Sequence, residues 1–522
     1  MCSTRQSWCA DGAHRLGRCA HRAKGQFVAF SRMMGAPESP QLRSSTTIDS
    51  EGGPGEAERV PDDALTLVLA WSAHEPERVG EIAVLPSMPG ASLVLGRGAE
   101  PGPESRLRFF RQRPGVLVER PALASPGLSR RQLLVRPVEN GAHVARVGRC
   151  VLEVNGTACD EADISSGDVI YLRRELLLLC TRRPALIPRS RALPDSVPNA
   201  FGEVDQVGLL GESPMIWRLR ESVAFVAMTP NHVLVRGESG TGKELVARAI
   251  HDVGSSGTRP FVARNAATLP PSLVDAELFG NVKNYPNAGM PERAGLIGEA
   301  DGGTLFLDEI GELPQEQQAH LLRVLDADGE YQRLGEAKVR RSRFRLIAAT
   351  NRDPAALKDD FAARFNSRID VPGLMDRRED VPLLARHLLQ RAARASPQLA
   401  SRFLGRSTDG AAWLRIDPEL VEHMLRRPYR THVRELDALL WRSLAETTGD
   451  VLTLPADLRT MRPTSGATEQ VLVGVADPSA AEIVAALEEH GWNVPLASRA
   501  LALSSRFVLN RLMRKHGIRR DG

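Results

Sequence analysis

Short apolar runs separated by turn residues fill the chain from about residue 65 to residue 180. They include LTLVLAW, SLVLGR, GVLVER, DVIYL and ELLLLC, and Gly, Pro or Asp follows them at intervals typical of β-hairpins. This pattern predicts an all-β sandwich over residues 61–183. Pro and Arg dominate residues 184–204, which we predict to be a linker.

Apolar strands alternate with helical stretches between residues 205 and 447. This alternation is typical of an α/β domain built on a parallel sheet. A second linker is predicted over residues 448–476. Residues 1–60 are polar and rich in Gly, Ser and Pro, which predicts a disordered leader. Translation from Met33 or Met34 is an alternative interpretation of that leader.

The tail, residues 477–522, has the pattern of three short helices. Ile483 and Leu487 give the first helix an apolar face, residues 494–501 form the second, and Ser504 caps the third. Three short helices with a tight turn are typical of a helix-turn-helix. The predicted fold class is therefore multidomain: a β-sandwich, an α/β domain and an all-α tail.

Composition and charge restrict the function classes. The chain has 522 residues, of which 42% are hydrophobic and 25% charged, as in globular proteins. No apolar run approaches the roughly 20 residues of a membrane span, and the Arg-rich start lacks the apolar core of a secretory signal. We therefore expect a cytoplasmic protein without a membrane partner. The net charge of +4 still allows nucleic-acid binding, since a local basic patch suffices.

A glycine-rich loop between an apolar strand and a helix is the most specific motif. The strand Val233–Val235 leads into this loop, and a helical pattern follows. This is GxxxxGK in its strand–loop–helix context, which predicts a phosphate cradle for ATP. Lys243 would neutralise the phosphate oxygens. The loop residues are Gly237, Glu238, Ser239, Gly240, Thr241, Gly242, Lys243 and Glu244.

A second motif, GGTLFLDEIGEL over residues 302–313, ends a strand on two carboxylates. Ligands bind at the carboxyl ends of parallel strands. Asp308 is predicted to hold the Mg²⁺ shell, and Glu309 to polarise the attacking water. The alternative is that the pair only caps the next helix.

These motifs resemble the AAA+ domain of the sigma-54-dependent transcriptional activators. The resemblance covers roughly residues 205–445 and includes, in the family's order, GESGTGKE, ELFG, ADGGTLFLDEIGELP, LLRVL, RLIAATNRD and HVREL. It implies that Asn265 is the switch residue for Glu309. It also implies that Thr350 and Asn351 form the first sensor, and that Arg434 is the second sensor, reaching the γ-phosphate.

The same resemblance implies that arginine fingers act between subunits. Arg368 matches the second finger, whereas Ala362 stands at the first. Arg364, which we place one helical turn before Arg368, is a candidate substitute; the alternative for it is a solvated surface arginine. Fingers acting in trans imply a homo-oligomeric ring, typically a hexamer.

One segment departs from the family pattern. In the family, ELFG leads to GAFTGA, whose Phe-Thr tip touches the sigma factor. Here Pro286 and Asn287 stand at that tip, with Tyr285 beside them. Pro286 should stiffen the loop. We therefore predict no standard contact with sigma-54 polymerase. Another sigma factor, or ATP-driven assembly on DNA, is the alternative.

The tail resembles the Fis-type DNA-binding end of the same activators. The third helix is predicted to present polar and basic residues, which can read base edges and contact phosphates. A basic solvated helix is the alternative. The predicted DNA-contacting residues are Ser505, Arg506, Asn510, Arg511, Arg514 and Lys515.

The β-rich segment resembles a forkhead-associated (FHA) domain, a module that binds phosphothreonine peptides. Its matches are Gly96-Arg97, Ser129-Arg130, Val154-Asn155-Gly156 and Gly167-Asp168-Val169-Ile170. Arg97, Ser129 and Arg130 would hold the phosphate, and Asn155 the peptide backbone. Gln132 and Cys150 replace the family's His and Asn. The alternative is a docking sandwich that gates the ring.

Together these patterns predict an ATP-dependent, DNA-binding transcription regulator gated by an FHA-like sensor. One rival is a DNA-binding regulator whose AAA+ domain binds ATP as an assembly switch and hardly hydrolyses it. A second rival is a remodeller of another DNA process, such as replication initiation; the HVREL block and the tail argue against it.

Overall fold

The structure is a computed structural model of the full chain. It describes the chain from residue 63 to residue 518, with gaps. Among the described residues, no helix is long and apolar enough to cross a membrane. The gaps are 87–90, 99–104, 194–198, 256–258, 271, 327–328, 353–356, 407–411, 460–478, 491, 493, 502–508, 510–511 and 514–517.

Two sheets form the amino-terminal part of the described chain. The larger has eight strands in the order β10-β9-β12-β13-β1-β2-β5-β6, and the smaller has five in the order β11-β8-β7-β3-β4. The predicted β-rich segment is confirmed. The strands are β1 (Asp63–Ser72), β2 (Ile82–Val84), β3 (Leu93–Leu95), β4 (Ser105–Arg106), β5 (Phe110–Arg113), β6 (Val116–Glu119), β7 (Leu133–Val138), β8 (Gly141–Arg146), β9 (Leu152–Val154), β10 (Thr157–Cys159), β11 (Glu161–Ile164), β12 (Val169–Leu172) and β13 (Leu176–Pro184).

A five-stranded parallel sheet follows, in the order β15-β16-β19-β14-β20. Ser213 starts the first helix of this part, since its Oγ accepts a hydrogen bond from the Ile216 amide and Pro214 follows it. The elements are α1 (Pro214–Ala227), β14 (Val233–Arg236), α2 (Lys243–Ser255), β15 (Phe261–Asn265), α3 (Val274–Phe279), α4 (Leu296–Glu299), β16 (Thr304–Asp308), α5 (Gln315–Asp326), β17 (Glu330–Tyr331), β18 (Arg340–Arg341), β19 (Arg345–Thr350), α6 (Asp359–Ala362) and β20 (Ser367–Asp370).

A helical lid follows this sheet. Its longest helix, α7, begins next to Asp380, and a short hairpin of β21 and β22 separates α8 from α9. The predicted α/β part, with strands alternating with helices around a parallel sheet, is confirmed. The lid elements are α7 (Val381–Ala395), α8 (Pro397–Ala400), β21 (Leu404–Arg406), β22 (Ala412–Leu414), α9 (Pro418–Arg426), α10 (Val433–Glu446) and α11 (Ala456–Arg459).

The central strands β1 and β13 of the larger sheet are buried on both faces. Leu176 and Leu178 of β13 point into the core between the two sheets. Leu177 and Leu179, which alternate with them, belong to a second core that includes Leu420 and other residues of the lid helices. Side chains of a strand alternate between faces, so the sandwich and the lid share one hydrophobic core.

The described tail contains α12 (Ala480–Glu489) and α13 (Val494–Ala500). Ser479 and Glu482 form a capping box at the start of α12. Ile483 and Leu487 are buried together with Leu509 and Leu512, which lie in a later helical stretch. The predicted apolar face of the first helix is therefore confirmed. Most residues of the predicted third helix, including its predicted cap Ser504, lie outside the described residues.

Candidate active site

The glycine-rich loop closes around its own lysine. Lys243 begins α2, and its Nζ donates hydrogen bonds to the carbonyl oxygens of Gly237 (3.0 Å) and Glu238 (3.3 Å). Gly240 and Gly242 have φ of +84° and +101°, a region that glycine reaches without strain. The loop is thus a concave backbone nest with a positive charge at its centre, which fits phosphate oxygens.

The two predicted carboxylates follow β16. Asp308 ends the strand, and its Oδ1 accepts a hydrogen bond from the Glu309 amide at 3.0 Å. Glu309 Oε1 lies 3.9 Å from Lys243 Nζ. The structure therefore brings the phosphate lysine and the predicted water-polarising carboxylate into one site.

Glu309 is held in a strained backbone conformation. Its φ is +51° and its ψ is +45°, in the left-handed region, which non-glycine residues rarely occupy. Its side chain makes no capping hydrogen bond to the 3₁₀ turn that follows, so the capping alternative fails for Glu309. Strain of this kind persists where the surrounding structure imposes it and is frequent at active sites.

Asn265 and Thr350 flank this pair on the neighbouring strands. Asn265 is in register with Asp308, and its Oδ1 accepts from the Ala267 amide at 2.9 Å. This hydrogen bond of the Asn265 side chain therefore lies within its own turn and does not reach Glu309. Thr350 is buried, and its carbonyl accepts from the Gly237 amide at 3.2 Å. Asn351 follows it directly at the end of β19.

The lid touches the glycine-rich loop directly. Arg434, near the start of α10, donates from Nη1 to Ser239 Oγ at 2.7 Å. A Cβ added to Gly240 would lie 2.1 Å from the Thr431 carbonyl oxygen, so only glycine permits this approach. The predicted second sensor is thus at the site, bonded to the loop itself.

His432 and Arg377 also contact the loop, although the sequence motifs did not predict them as site residues. His432 Nε2 lies 3.0 Å from Glu238 Oε2, and its Nδ1 accepts from the Leu374 amide at 3.1 Å. Because Nδ1 accepts, Nε2 carries the hydrogen that Glu238 receives. Arg377 Nη2 donates to the Thr241 carbonyl at 3.4 Å. Burial lowers the pKa of Arg377.

The candidate arginine fingers lie at the edge of the sheet. Arg368 is an exposed residue of the edge strand β20. The prediction that Arg364 precedes it by one helical turn is wrong, because α6 ends at Ala362 and Arg368 is in extended backbone. Arg364 is exposed in the intervening turn, which Phe361 and Phe365 anchor by an edge-to-face contact of 5.3 Å.

The segment at the family's sigma-contacting position is a compact exposed loop. Asn281 is fully buried at its base and donates from Nδ2 to the carbonyls of Tyr285 (3.2 Å) and Pro291 (2.9 Å). The Tyr285 ring packs on Gly335, where a Cβ would lie 2.6 Å from it. Tyr285 is exposed at 42% and sits on the turn between β17 and β18.

Arginines surround the predicted phosphate-binding loops of the sandwich. Arg97 is exposed, and its amide donates to the Ser129 carbonyl at 3.1 Å. Arg106 joins the two loops by donating to the carbonyls of Gly96 (2.7 Å) and Arg130 (3.0 Å). Ser129 Oγ accepts from the Arg149 amide at 3.0 Å, which leaves its hydroxyl hydrogen to donate. Arg106 was missed by sequence reasoning.

Gln132 takes a structural role between these loops. It is fully buried, its Oε1 accepts from the amides of Ser129 and Cys150, both at 3.3 Å, and its Nε2 donates to the Cys150 carbonyl at 3.0 Å. Gln132, which stands where FHA domains have a histidine, thus connects the Ser129 loop to the Cys150 loop.

The Asn155 side chain makes its hydrogen bonds within the sandwich. Its Nδ2 donates to Asp168 Oδ1 at 2.8 Å, and its Oδ1 accepts from the Val169 amide at 3.0 Å. Its backbone carbonyl accepts from Arg426 of the lid at 2.7 Å. Asn155 therefore fixes a turn of the sandwich against the lid.

The predicted DNA-contacting residues lie outside the described residues. In the part of the chain that the structure describes, no group of three or more His, Cys, Asp or Glu side chains is arranged to hold a metal ion. Asp308 would instead contribute to a Mg²⁺ shell shared with nucleotide phosphates, and its carboxylate oxygens are ligands that Mg²⁺ prefers.

A phosphate nest after one parallel strand, an Asp-Glu pair after the next, and a lid that contacts the nest define a P-loop NTPase domain of the AAA+ type. Residues 209–372 match the family model described as the Sigma-54 interaction domain.

Known regulators resemble the chain over a larger part. The transcriptional regulatory protein ZraR of Escherichia coli K12 is 36% identical over 319 residues, which cover 59% of this chain and 69% of ZraR. The DNA-binding transcriptional regulator NtrC of Rhizobium meliloti is 38% identical over 277 residues, 51% of this chain and 54% of NtrC. NtrX from Brucella abortus, solved with ATP, is 27% identical with a TM-score of 0.42, covering 59% of this chain and 70% of NtrX. The chain belongs to the family of sigma-54-dependent transcriptional activators.

Proposed function

We propose that this protein regulates transcription by binding DNA through its tail and hydrolysing ATP in a homo-oligomeric ring, under control of a phosphothreonine-sensing sandwich. The observation that carries the ATPase proposal is the convergence of Lys243 and Glu309 at 3.9 Å, with Glu309 in a left-handed conformation. Backbone strain of this kind is frequent at active sites.

Each residue of this site has a separate proposed role. Lys243 and the loop amides bind the phosphates, and Asp308 would hold Mg²⁺, which neutralises phosphate charge when bound. Glu309 accepts the proton of the attacking water. Arg434 and His432 keep the lid against the loop. Arg368, which is exposed on an edge strand, would complete a neighbouring subunit's site.

The sandwich is proposed to bind phosphothreonine through Arg97, Ser129 and Arg130. A hydroxyl donor and guanidinium groups match a doubly charged phosphate. Arg106, Arg131 and Arg149 add positive charge around the same loops.

Substitution of Arg97 by alanine should weaken phosphothreonine-peptide binding by at least about tenfold, since one charge-assisted bond is worth about 1.5–3 kcal/mol. The measurement is titration of the full chain with a degenerate phosphothreonine peptide library. Arg136→Ala, an exposed arginine of β7 away from these loops, should bind like the wild type. Wild-type protein that binds no phosphopeptide would favour a sandwich used only for docking.

Removal of residues 477–522 should abolish sequence-specific DNA binding and leave ATP turnover intact, because the tail buries its own small core. The full chain should enrich a motif from a pool of random duplexes, and the truncated chain should enrich none. Enrichment of the same motif by the truncated protein would contradict the assignment of DNA binding to the tail.

A further inference from the structure

A buried arginine crosses from the sandwich to the nucleotide domain. Arg183 lies near the end of β13, and its side chain is 3% exposed. Its Nη1 donates to Glu379 Oε2 at 2.7 Å, while Nε and Nη2 donate to Gln112 Oε1 at 3.0 and 2.7 Å. Glu379 is 10% exposed. The ion pair is therefore shielded from solvent, and its partners come from two different parts of the fold.

Glu379 belongs to residues 373–380, which we call the hub segment because its members contact four parts of the molecule. Arg377 donates to Thr241 of the phosphate loop. The Leu374 amide donates to His432 of the lid. Asp380 Oδ1 accepts from the amides of Glu212 (2.7 Å) and Ser213 (3.0 Å), at the start of α1. The contact with the sandwich, through Arg183, is the fourth.

The hub segment has little room to move. A Cβ added to Gly211 would lie 2.5 Å from Asp380 Oδ2, and one added to Gly373 would lie 2.6 Å from the His432 ring. Burial raises the pKa of Glu379, and Arg183 opposes this change. A buried carboxylate that loses its partner is strongly destabilised, so without Arg183 the Glu379 side chain would turn toward solvent and pull on its segment.

We propose that Arg183 is a positioning residue for nucleotide: by holding Glu379 it fixes the hub segment, and thereby places Arg377 and His432 against the phosphate loop. The inference rests on the proposed function, because it takes ATP as the ligand of that loop. The sandwich is then a structural part of the nucleotide site. A ligand of the sandwich that shifts the sandwich against the lid then changes the affinity for ATP, and ATP changes the affinity for that ligand by the same factor.

Arg183→Met should raise the dissociation constant for a fluorescent ATP analogue with Mg²⁺ about tenfold, a coupling within the usual range. Arg182→Met is the matched control, since Arg182 is the exposed neighbour on the same strand, and it should bind ATP like the wild type. Unchanged or tighter ATP binding by Arg183→Met overturns the proposal.

Two further measurements distinguish this positioning role of Arg183 from a role in folding alone. Arg183→Lys keeps the charge but loses the fork that also reaches Gln112, and it should show an intermediate affinity with a wild-type unfolding midpoint. In Arg183→Met, the KM for ATP should rise, while kcat per ATP-bound subunit should stay at the wild-type value. A lower fraction of active protein with unchanged KM would show a purely structural role and overturn the proposal. If the wild type itself binds no ATP, the proposed function fails instead.

Discussion

Replacing Glu309 by glutamine is expected to lower the steady-state rate of ATP hydrolysis at least about 100-fold, the usual contribution of a general base. The amide keeps the size of the side chain and cannot accept the proton of water. ATP affinity should stay within about threefold, because the interaction is needed mainly in the transition state. Turnover of labelled ATP and equilibrium binding of an ATP analogue measure the two effects.

Glu312→Gln is the matched control for this substitution. Glu312 lies one turn further along and pairs with Arg352 on the surface. Its replacement should leave turnover within about twofold, since exposed ion pairs contribute little. Equal losses in both variants would mean that the turn as a whole, and not the Glu309 carboxylate, is needed.

Replacing Leu177 by alanine should reduce the free energy of unfolding by about 3 kcal/mol, as for other fully buried leucines. Leu177 is 0% exposed and lies in the core shared by the sandwich and the lid. The loss should therefore appear in both parts. Amide hydrogen exchange of β1 and β13 in the sandwich, and of α7 and α9 in the lid, measures each separately.

Val138→Ala is the control for the core variant, because Val138 is 52% exposed at the end of β7. It should change stability by less than about 0.5 kcal/mol. Faster exchange in the sandwich alone for Leu177→Ala would show that the two parts open independently, and that the shared core does not couple them.

Local motifs allowed the nucleotide site to be predicted from the sequence. The loop from Gly237 to Glu244 and the pair Asp308-Glu309 each depend on one strand and the residues that follow it. His432 and Arg377 were missed because their contacts with Glu238 and Thr241 join positions 194 and 136 residues apart. No short pattern marks such pairs.

The packing of the sandwich on the lid was not predicted, although the sequence contains a pattern that indicates it. The runs LTLVLAW and ELLLLC are apolar at successive positions. A sheet with one face in water alternates apolar and polar residues, whereas continuous apolar runs indicate burial on both faces. The contacts of Asn155 with Asp168 and Arg426 were not predicted for a related reason, because tertiary packing sets them.

We propose that the ring hydrolyses ATP at sites completed between subunits. Ala362, at the first finger position, motivates the rival in which ATP is bound and hardly turned over. Arg368 remains exposed at the sheet edge, where a neighbouring subunit can use it.

The most direct test is the steady-state ATPase rate per subunit, measured against protein concentration for the wild type and Glu309→Gln. Completion of the site in trans predicts a wild-type rate that rises with concentration to a plateau, and a rate near background for the variant. A low wild-type rate that is independent of concentration and equal to that of Glu309→Gln would contradict the claim and support the binding-only switch.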